Sequence, residues 1–406
     1  MTAAWLSVVG IGEDGLDGLT PPARTLVEAA EVLVGGARHL AMVPDDRQGA
    51  GCERIAWPKP LDAAIPEIEK RRGKRVCVLA TGDPVCYGVA RKLLRSIPIE
   101  EMVILPAPSA FSLACARLGW SLPDVEPLTL HARAVDNLNP FVLPENRLVI
   151  LSRDGETPGQ IARLLTARGY GQSHMTVLAR MGGPQEARFE GKAESWDAHD
   201  IPDLNCVAVD CVADPDAALL PRVPGLPDKA FRHDGQLTKR EVRAATLAAL
   251  APVPDQRLWD VGAGCGSIAI EWMRAERGTS AIAIEQRGDR TALIAENATA
   301  LGTTALEVRQ GEAPGALADL PAPDAVFIGG GLGAEGVFEA CWEALKPGGR
   351  LVANAVTLEG EQALFAWHDA QGGMLTRIAV SRAEPVGRFT GWRPLMPVTQ
   401  YAVTKR

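Results

Sequence analysis

The stretch VADPDAALLPRVPGLPDKAF places Pro215, Pro221, Pro224 and Pro227 so that no helix or strand period survives across it. Proline fixes φ and removes a backbone donor, so such a run ends regular structure and cuts the chain in two. A length of 406 residues already calls for two or three domains. The expected division is 1–210, a proline-rich linker over 211–230, and 231–406.

Both halves read as α/β. Before the break, strand-like runs (LSVVG, EVLVGG, RVCVLATG, EMVILPAP, RLVILSR, HMTVLAR, NCVAVDC) alternate with helix-like ones (PPARTLVEAAE, VARKLLRSI, SAFSLACARLG, PGQIARLLTARGY). After it, an amphipathic segment leads into RLWDVGAG, SAIAIEQ, LEVRQG, DAVFIGG and RLVANAV in regular β-α-β succession, the pattern of a doubly wound sheet.

Composition removes several classes. Hydrophobic residues at 47% and charged residues at 23% exclude a disordered chain. Lys and Arg number 42 against 50 Asp and Glu, and the net charge of -8 argues against nucleic acid or an anionic membrane as partner. No apolar run approaches the roughly 20 residues that span a bilayer. MTAAWLSVVG lacks the basic region and cleavage site of a signal peptide, so a cytoplasmic protein is expected. The eight cysteines include no CxxC, and no metal site is expected.

Three glycine-rich loops follow strands, and their surroundings separate them. In DVGAGCGSIAIEW, Gly262, Gly264 and Gly266 end a strand and run straight into a helix, whose N-terminus offers free N–H groups. The spacing is GxGxG, without the third glycine of the dinucleotide fingerprint, which favours a carboxylate-bearing ligand over a pyrophosphate. Glu285 ends the next strand, about 20 residues on, where an acid accepts from both ribose hydroxyls. A nucleoside with an amino-acid tail fits, namely S-adenosylmethionine; capping of the following helix is the competing role for Glu285. GGGLGAEG satisfies GxGxxG but follows the fourth strand, where glycines leave room for substrate or simply make a turn. VVGIGEDGLDGLTPPAR has its helix start only at Thr20, and EVLVGG ends without an acid. An NAD-dependent oxidoreductase, the reading those last two loops suggest, is thereby disfavoured. One methyltransferase fused to a non-catalytic ligand-binding domain is the other alternative.

VVGIGEDG, LATGDPVCYGVA and PAPSAFSLACARLGW, in this order, resemble the tetrapyrrole methylases of corrin synthesis. LTKREVRAATLAAL, DVGAGCGSIAIEW, AIAIEQ, QGEAP, DAVFIGGG and LKPGGRLVANAVTLE resemble the decarboxylating precorrin methyltransferases of the seven-stranded class. Together the two resemblances cover nearly the whole chain. They imply a two-lobed tetrapyrrole methylase fold joined to a Rossmann-like methyltransferase fold, with one S-adenosylmethionine site in each. They also imply methylation of a precorrin at C5 by the first half, and decarboxylation with C15 methylation by the second. In the first half the resemblance assigns Val9, Gly82, Asp83, Cys86, Ser109 and Ala110 to the donor; an Asp-Pro turn is the competing explanation for Asp83. Gly10 and Gly12 are expected to face substrate. In the second it assigns Gly262, Gly264, Gly266 and Glu285, and also Thr238, Glu312 and Ala313.

Methyl transfer from a sulfonium needs alignment and exclusion of water more than a protein nucleophile. Decarboxylation needs orientation and a proton; His233, Glu241 and Asn354 are the candidate catalytic residues. A polyanionic precorrin needs a local basic surface, and Arg232, Lys239, Arg240 and Arg243 are expected to supply it. A homo-oligomer is expected.

Overall fold

The computed structural model describes residues 4–44 and 51–406. It divides into two compact units, one comprising 1–135 and 144–217, the other 136–143 and 218–406.

The first unit contains two sheets. β1 (Leu6–Ile11), β2 (Val32–Gly35), β3 (Glu53–Ala56), β4 (Val76–Thr81) and β5 (Met102–Leu105) form a parallel sheet in the order β3-β2-β4-β1-β5. Its central strands are apolar on both faces, as a parallel sheet covered by helices requires. β6 (Glu126–Thr129), β7 (Arg147–Leu151), β8 (His174–Ala179), β9 (Ala187–Lys192) and β10 (Asn205–Asp210) form a mixed sheet in the order β6-β7-β10-β8-β9. Thr20 is the N-cap of the helix Pro21–Glu28, with prolines in the first turn where the missing donor costs nothing.

The second unit is built on a seven-stranded sheet. β11 (Arg257–Val261), β12 (Ser280–Glu285), β13 (Glu307–Gln310), β14 (Ala325–Ile328) and β15 (Arg350–Ala355) are parallel, and β16 (Met374–Ile378) and β19 (Val398–Thr404) complete the order β13-β12-β11-β14-β15-β19-β16. The order reverses between β11 and β14, the position where ligands bind in such sheets. β17 (Ser381–Val386) and β18 (Phe389–Pro394) form a separate hairpin. No helix among the described residues is long and apolar enough to cross a membrane.

Residues 218–230, within the expected linker, do not hang free. Leu220, Leu226 and Phe231 are buried with Cys265, Ile270 and Leu301. Glu271 accepts from the backbone N–H groups of Gly225 and Leu226 at 2.6 and 3.0 Å, and Arg274 donates to the Leu220 carbonyl. The helix Ser267–Ala275 thus supplies through two buried charged side chains the partners that a proline-interrupted backbone cannot find in itself. Residues 136–143 also belong to this unit. The Asn137 side chain accepts from the Thr304 hydroxyl at 2.7 Å, and the Phe141 ring lies under the Arg222 and Arg277 guanidinium groups.

Candidate active site

In the second unit the β11 loop turns back at Gly262, Gly264 and Gly266, with φ of 70, 60 and 79°. Gly262 and Ala263 both donate to the Ile284 carbonyl, which ties the loop to β12. Glu285, at the end of β12 and 4% exposed, accepts from the Gly264 N–H at 2.9 Å and from the Arg287 N–H at 3.0 Å. It therefore holds the loop and also serves the start of the next helix. Asp260, at the end of β11, accepts from the Ala269 N–H at 3.0 Å. Its other oxygen has no partner, and burial, with the neighbouring Glu285 charge, pushes the carboxyl up to about 7.

A cavity of about 690 Å³ opens above this loop. Thr238, Lys239, Gly262, Gly264, Glu285, Glu312, Ala313 and Asn354 all line it, as does the Gly329–Gly331 stretch after β14. A Cβ on Gly264 would meet nothing within 4 Å, so the backbone is open to a ligand there. That opening, the buried Glu285 acceptor and the helix N-terminus beyond fit a nucleoside with an amino-acid tail.

Several expected residues lie elsewhere. Gly266 does not face the cavity: a Cβ there would come within 2.9 Å of Ile294, so this glycine serves close helix packing. His233 is exposed and its Nδ1 accepts from the Gly235 N–H. Glu241 is exposed, outside the cavity, and its hydrogen bond to Arg382, with the charge of that guanidinium, holds its carboxyl below the usual carboxylate range. Arg232 pairs with Glu296 on the surface, and Arg240 is exposed outside the cavity. Arg243 is the clearest correction. It is fully buried, paired with Glu271 at 2.5 Å, donates to the carbonyls of Leu226 and Thr238, and lies over the Phe231 ring. Of the expected basic surface only Lys239 reaches the cavity.

In the first unit a cavity of about 360 Å³ is lined by Gly12, Gly82, Asp83, Cys86, Ser109 and Ala110. The Asp-Pro turn is present, since Asp83 accepts from the Val85 N–H at 2.9 Å, and its carboxylate still borders the cavity. Ser109 is the N-cap of the helix Ala110–Leu118, accepting from the Ser112 N–H. Burial and the Asp83 charge push the Cys86 thiol up. Val9 and Gly10 are corrections. Val9 is buried in the sheet core, and Gly10 is a glycine because a Cβ would lie 1.9 Å from the Gly82 carbonyl oxygen and 2.5 Å from the Ala107 nitrogen.

Sequence reasoning missed two polar groups in this cavity. Asn205 commits its Nδ2 to the carbonyls of Asp154, Pro202 and Asp203, leaving Oδ1 buried without a partner. Ser152, 2% exposed, has an unpartnered Oγ beside it on the neighbouring strand. Buried orphan acceptors of this kind fit an amino group arriving with a ligand. The available signal was a polar residue at the end of each apolar strand, RLVILS and NCVAVD. His39 also lines the cavity. Its Nε2 meets Thr81 at 3.0 Å and Arg38 at 2.9 Å, and burial, with the Arg38 charge, pushes it down to about 4, so it is neutral.

Two family models match, tetrapyrrole (corrin/porphyrin) methylases over residues 6–197 and the precorrin methyltransferase domain over residues 229–405. A precorrin-6Y C(5,15)-methyltransferase [decarboxylating] of Sinorhizobium is 48% identical over 405 residues, covering 100% of this chain and 97% of the relative. The protein of that name from Mycobacterium tuberculosis is 42% identical over 402 residues, covering 98% and 99%. The crystal structure of the C-terminal domain of the Rhodobacter capsulatus precorrin-6Y C5,15-methyltransferase is 49% identical, covering 46% of this chain and 100% of that one, with a TM-score of 0.44. Identity of this extent over both lengths makes the chain a member of the decarboxylating precorrin-6Y C5,15-methyltransferase family.

Proposed function

We propose that the chain methylates one precorrin twice, at C5 in its first unit and at C15 in its second, and that the second unit also releases the ring C acetate as carbon dioxide. Each unit holds its own S-adenosylmethionine. The observation that carries this reading is the pair of separate cavities, one per unit, each bordered by a glycine loop at the C-terminal ends of parallel strands. Shorter relatives support the division. A cobalt-precorrin-7 C(5)-methyltransferase of Salmonella typhimurium matches 42% of the chain, and a probable cobalt-precorrin-6B C(15)-methyltransferase (decarboxylating) of Pyrobaculum calidifontis matches 45%.

The donor, when bound, supplies a methyl group made electrophilic by its sulfonium. The residues of this chain bind and orient. Glu285 accepts from the ribose, and Gly264 lets the backbone approach the amino-acid tail. In the first unit Asp83, Ser152 and Asn205 offer acceptors. The chain is read as a cytoplasmic homo-oligomer acting on a small molecule, with neither nucleic acid nor membrane as partner.

The test is incubation of the full chain with precorrin-6B and labelled donor, with mass analysis of the product and equilibrium dialysis of the donor. Two methyl gains, one carbon dioxide loss and two donor sites per chain are expected. A single donor site supports the fused non-catalytic domain instead, and binding of NADH in place of the donor supports the oxidoreductase.

A further inference from the structure

Within the cavity of the second unit, Asn354 stands apart from the donor residues because its amide is locked from behind. Its Nδ2 donates to the Thr246 hydroxyl at 2.8 Å, and its Oδ1 accepts from Gln400 Nε2 at 3.1 Å. Gln400 Nε2 also donates to the Thr246 hydroxyl at 3.1 Å. Thr246 spends its own proton on the Val242 carbonyl at 2.8 Å. Its oxygen can therefore only accept, and the orientation of both amides follows from that one fact. Thr246 is fully buried, Gln400 is 5% exposed, and neither lines the cavity. Strand pairing thus sets Asn354 opposite Gln400 across β15 and β19, and the helix Arg240–Leu250 brings Thr246 to both.

The triangle leaves Asn354 one N–H and one lone pair for the cavity. Val356, from the end of the same strand, and Val398, from the partner strand, are also in the wall. The cations in that wall are Lys239 and Arg290, and Arg290 is already paired with Asp234 at 2.8 Å. The hydrogen bonds of Asn354 run to no charged group.

A neutral donor with Val356 and Val398 in the same wall suits one task in the reaction read above. Loss of carbon dioxide disperses the charge of a carboxylate, so a cation on that carboxylate would stabilise the ground state more than the transition state. One amide hydrogen bond orients the group without neutralising it, and Val356 and Val398 in the same wall offer its charge no further hydrogen bonds. Building on the proposed function, we infer that Asn354 holds the departing acetate carboxylate of the precorrin by its free N–H, with Thr246 and Gln400 as its positioning residues. In the step, the bond between the methylene and carboxyl carbons breaks and carbon dioxide leaves without the electron pair. The conjugated ring takes up that pair, and a proton from water completes the methyl group.

The experiment compares full-length wild type with Asn354→Asp, Gln400→Met and Thr246→Val, using precorrin-6B labelled in the ring C acetate. Released carbon dioxide, donor dissociation constant and melting temperature are read for each. Asn354→Asp replaces the N–H by a charge repelling the acetate and should slow release at least a hundredfold, with donor affinity within twofold. Gln400→Met should lower kcat for release about tenfold with KM nearly unchanged, since the anchor is still present but no longer aimed. A merely structural role would lower the melting temperature and affect donor affinity and release together. Release within threefold of wild type in Asn354→Asp overturns the inference while leaving the proposed function standing. Should the wild-type chain release no carbon dioxide, both fall. If Asn354→Asp does not fold, Gln400→Met and Thr246→Val decide alone, and normal kcat in both overturns it.

Discussion

Gly262 and Gly330 touch back to back: a Cβ on Gly262 would lie 2.7 Å from both the Cα and the nitrogen of Gly330. The loop after β11 and the loop after β14 are therefore fitted against each other where the strand order reverses. The relation is not symmetrical. A Cβ on Gly330 would stand 3.5 Å from the Gly262 Cα, an ordinary contact, and Gly262 alone of the two has a positive φ. Gly262→Ala should destabilise the second unit by roughly 1–3 kcal/mol from backbone strain, with more from the clash. Gly330→Ala should stay within about 0.5 kcal/mol. Denaturant unfolding of both variants checks this, and equal losses would refute it.

On the proposed function, Glu285→Ala removes the ribose acceptor together with the bond that holds Gly264. A charge-assisted hydrogen bond is worth roughly 1.5–3 kcal/mol, so donor affinity in the second unit should fall about ten- to a hundredfold. With one donor site in each unit, as proposed, calorimetric titration should show one weakened site and one unaltered.

Arg243→Glu should damage folding and not substrate recognition, because it would leave Glu271 buried against a like charge. Breaking a buried ion pair costs about 3–5 kcal/mol. The double variant Arg243→Leu with Glu271→Leu should recover part of this loss, although the N–H groups of Gly225 and Leu226 lose their acceptor. Urea melts of the single and double variants decide.

Asp260 gives the second unit a pH dependence of definite sign. Its folded carboxyl is pushed up to about 7, so between about pH 4 and 7 the folded state keeps a proton that the unfolded chain has lost. The contribution of this group to stability therefore declines as pH rises through that window, by at most about 1.4 kcal/mol per unit. Asp260→Asn should abolish this slope, and its stability relative to wild type should increase from pH 5 to pH 8. A constant difference between the two proteins across that range would show that Asp260 is ionised throughout.

What the sequence revealed and what it hid have separate physical causes. DVGAGCG, Glu285 and the strands around them were legible because backbone approach and strand-end acids leave letters at fixed spacing. The basic segment FRHDGQLTKREVR misled because charge in a sequence does not say whether a side chain is solvated. Arg243 lies on the buried face of the helix Arg240–Leu250, whereas Glu241 faces Arg382 on the hairpin. Ser152 and Asn205 escaped notice because an orphan acceptor exists only once the strands β7 and β10 are paired. The short strands β3, β6 and β9 carry polar or half-buried residues and lack the apolar run that marks their neighbours.

The assignment of residues 136–143 to the second unit has a consequence for synthesis on the ribosome. Everything else in the first unit emerges before residue 218, whereas Thr304, the partner of Asn137, emerges far later. At about 5–20 residues per second the interval from residue 217 to Thr304 is roughly four to seventeen seconds. Through that interval the nascent chain carries an eight-residue stretch whose partner Thr304 has yet to be translated. The chain is thus finished only when its second half reaches back for a piece of its first.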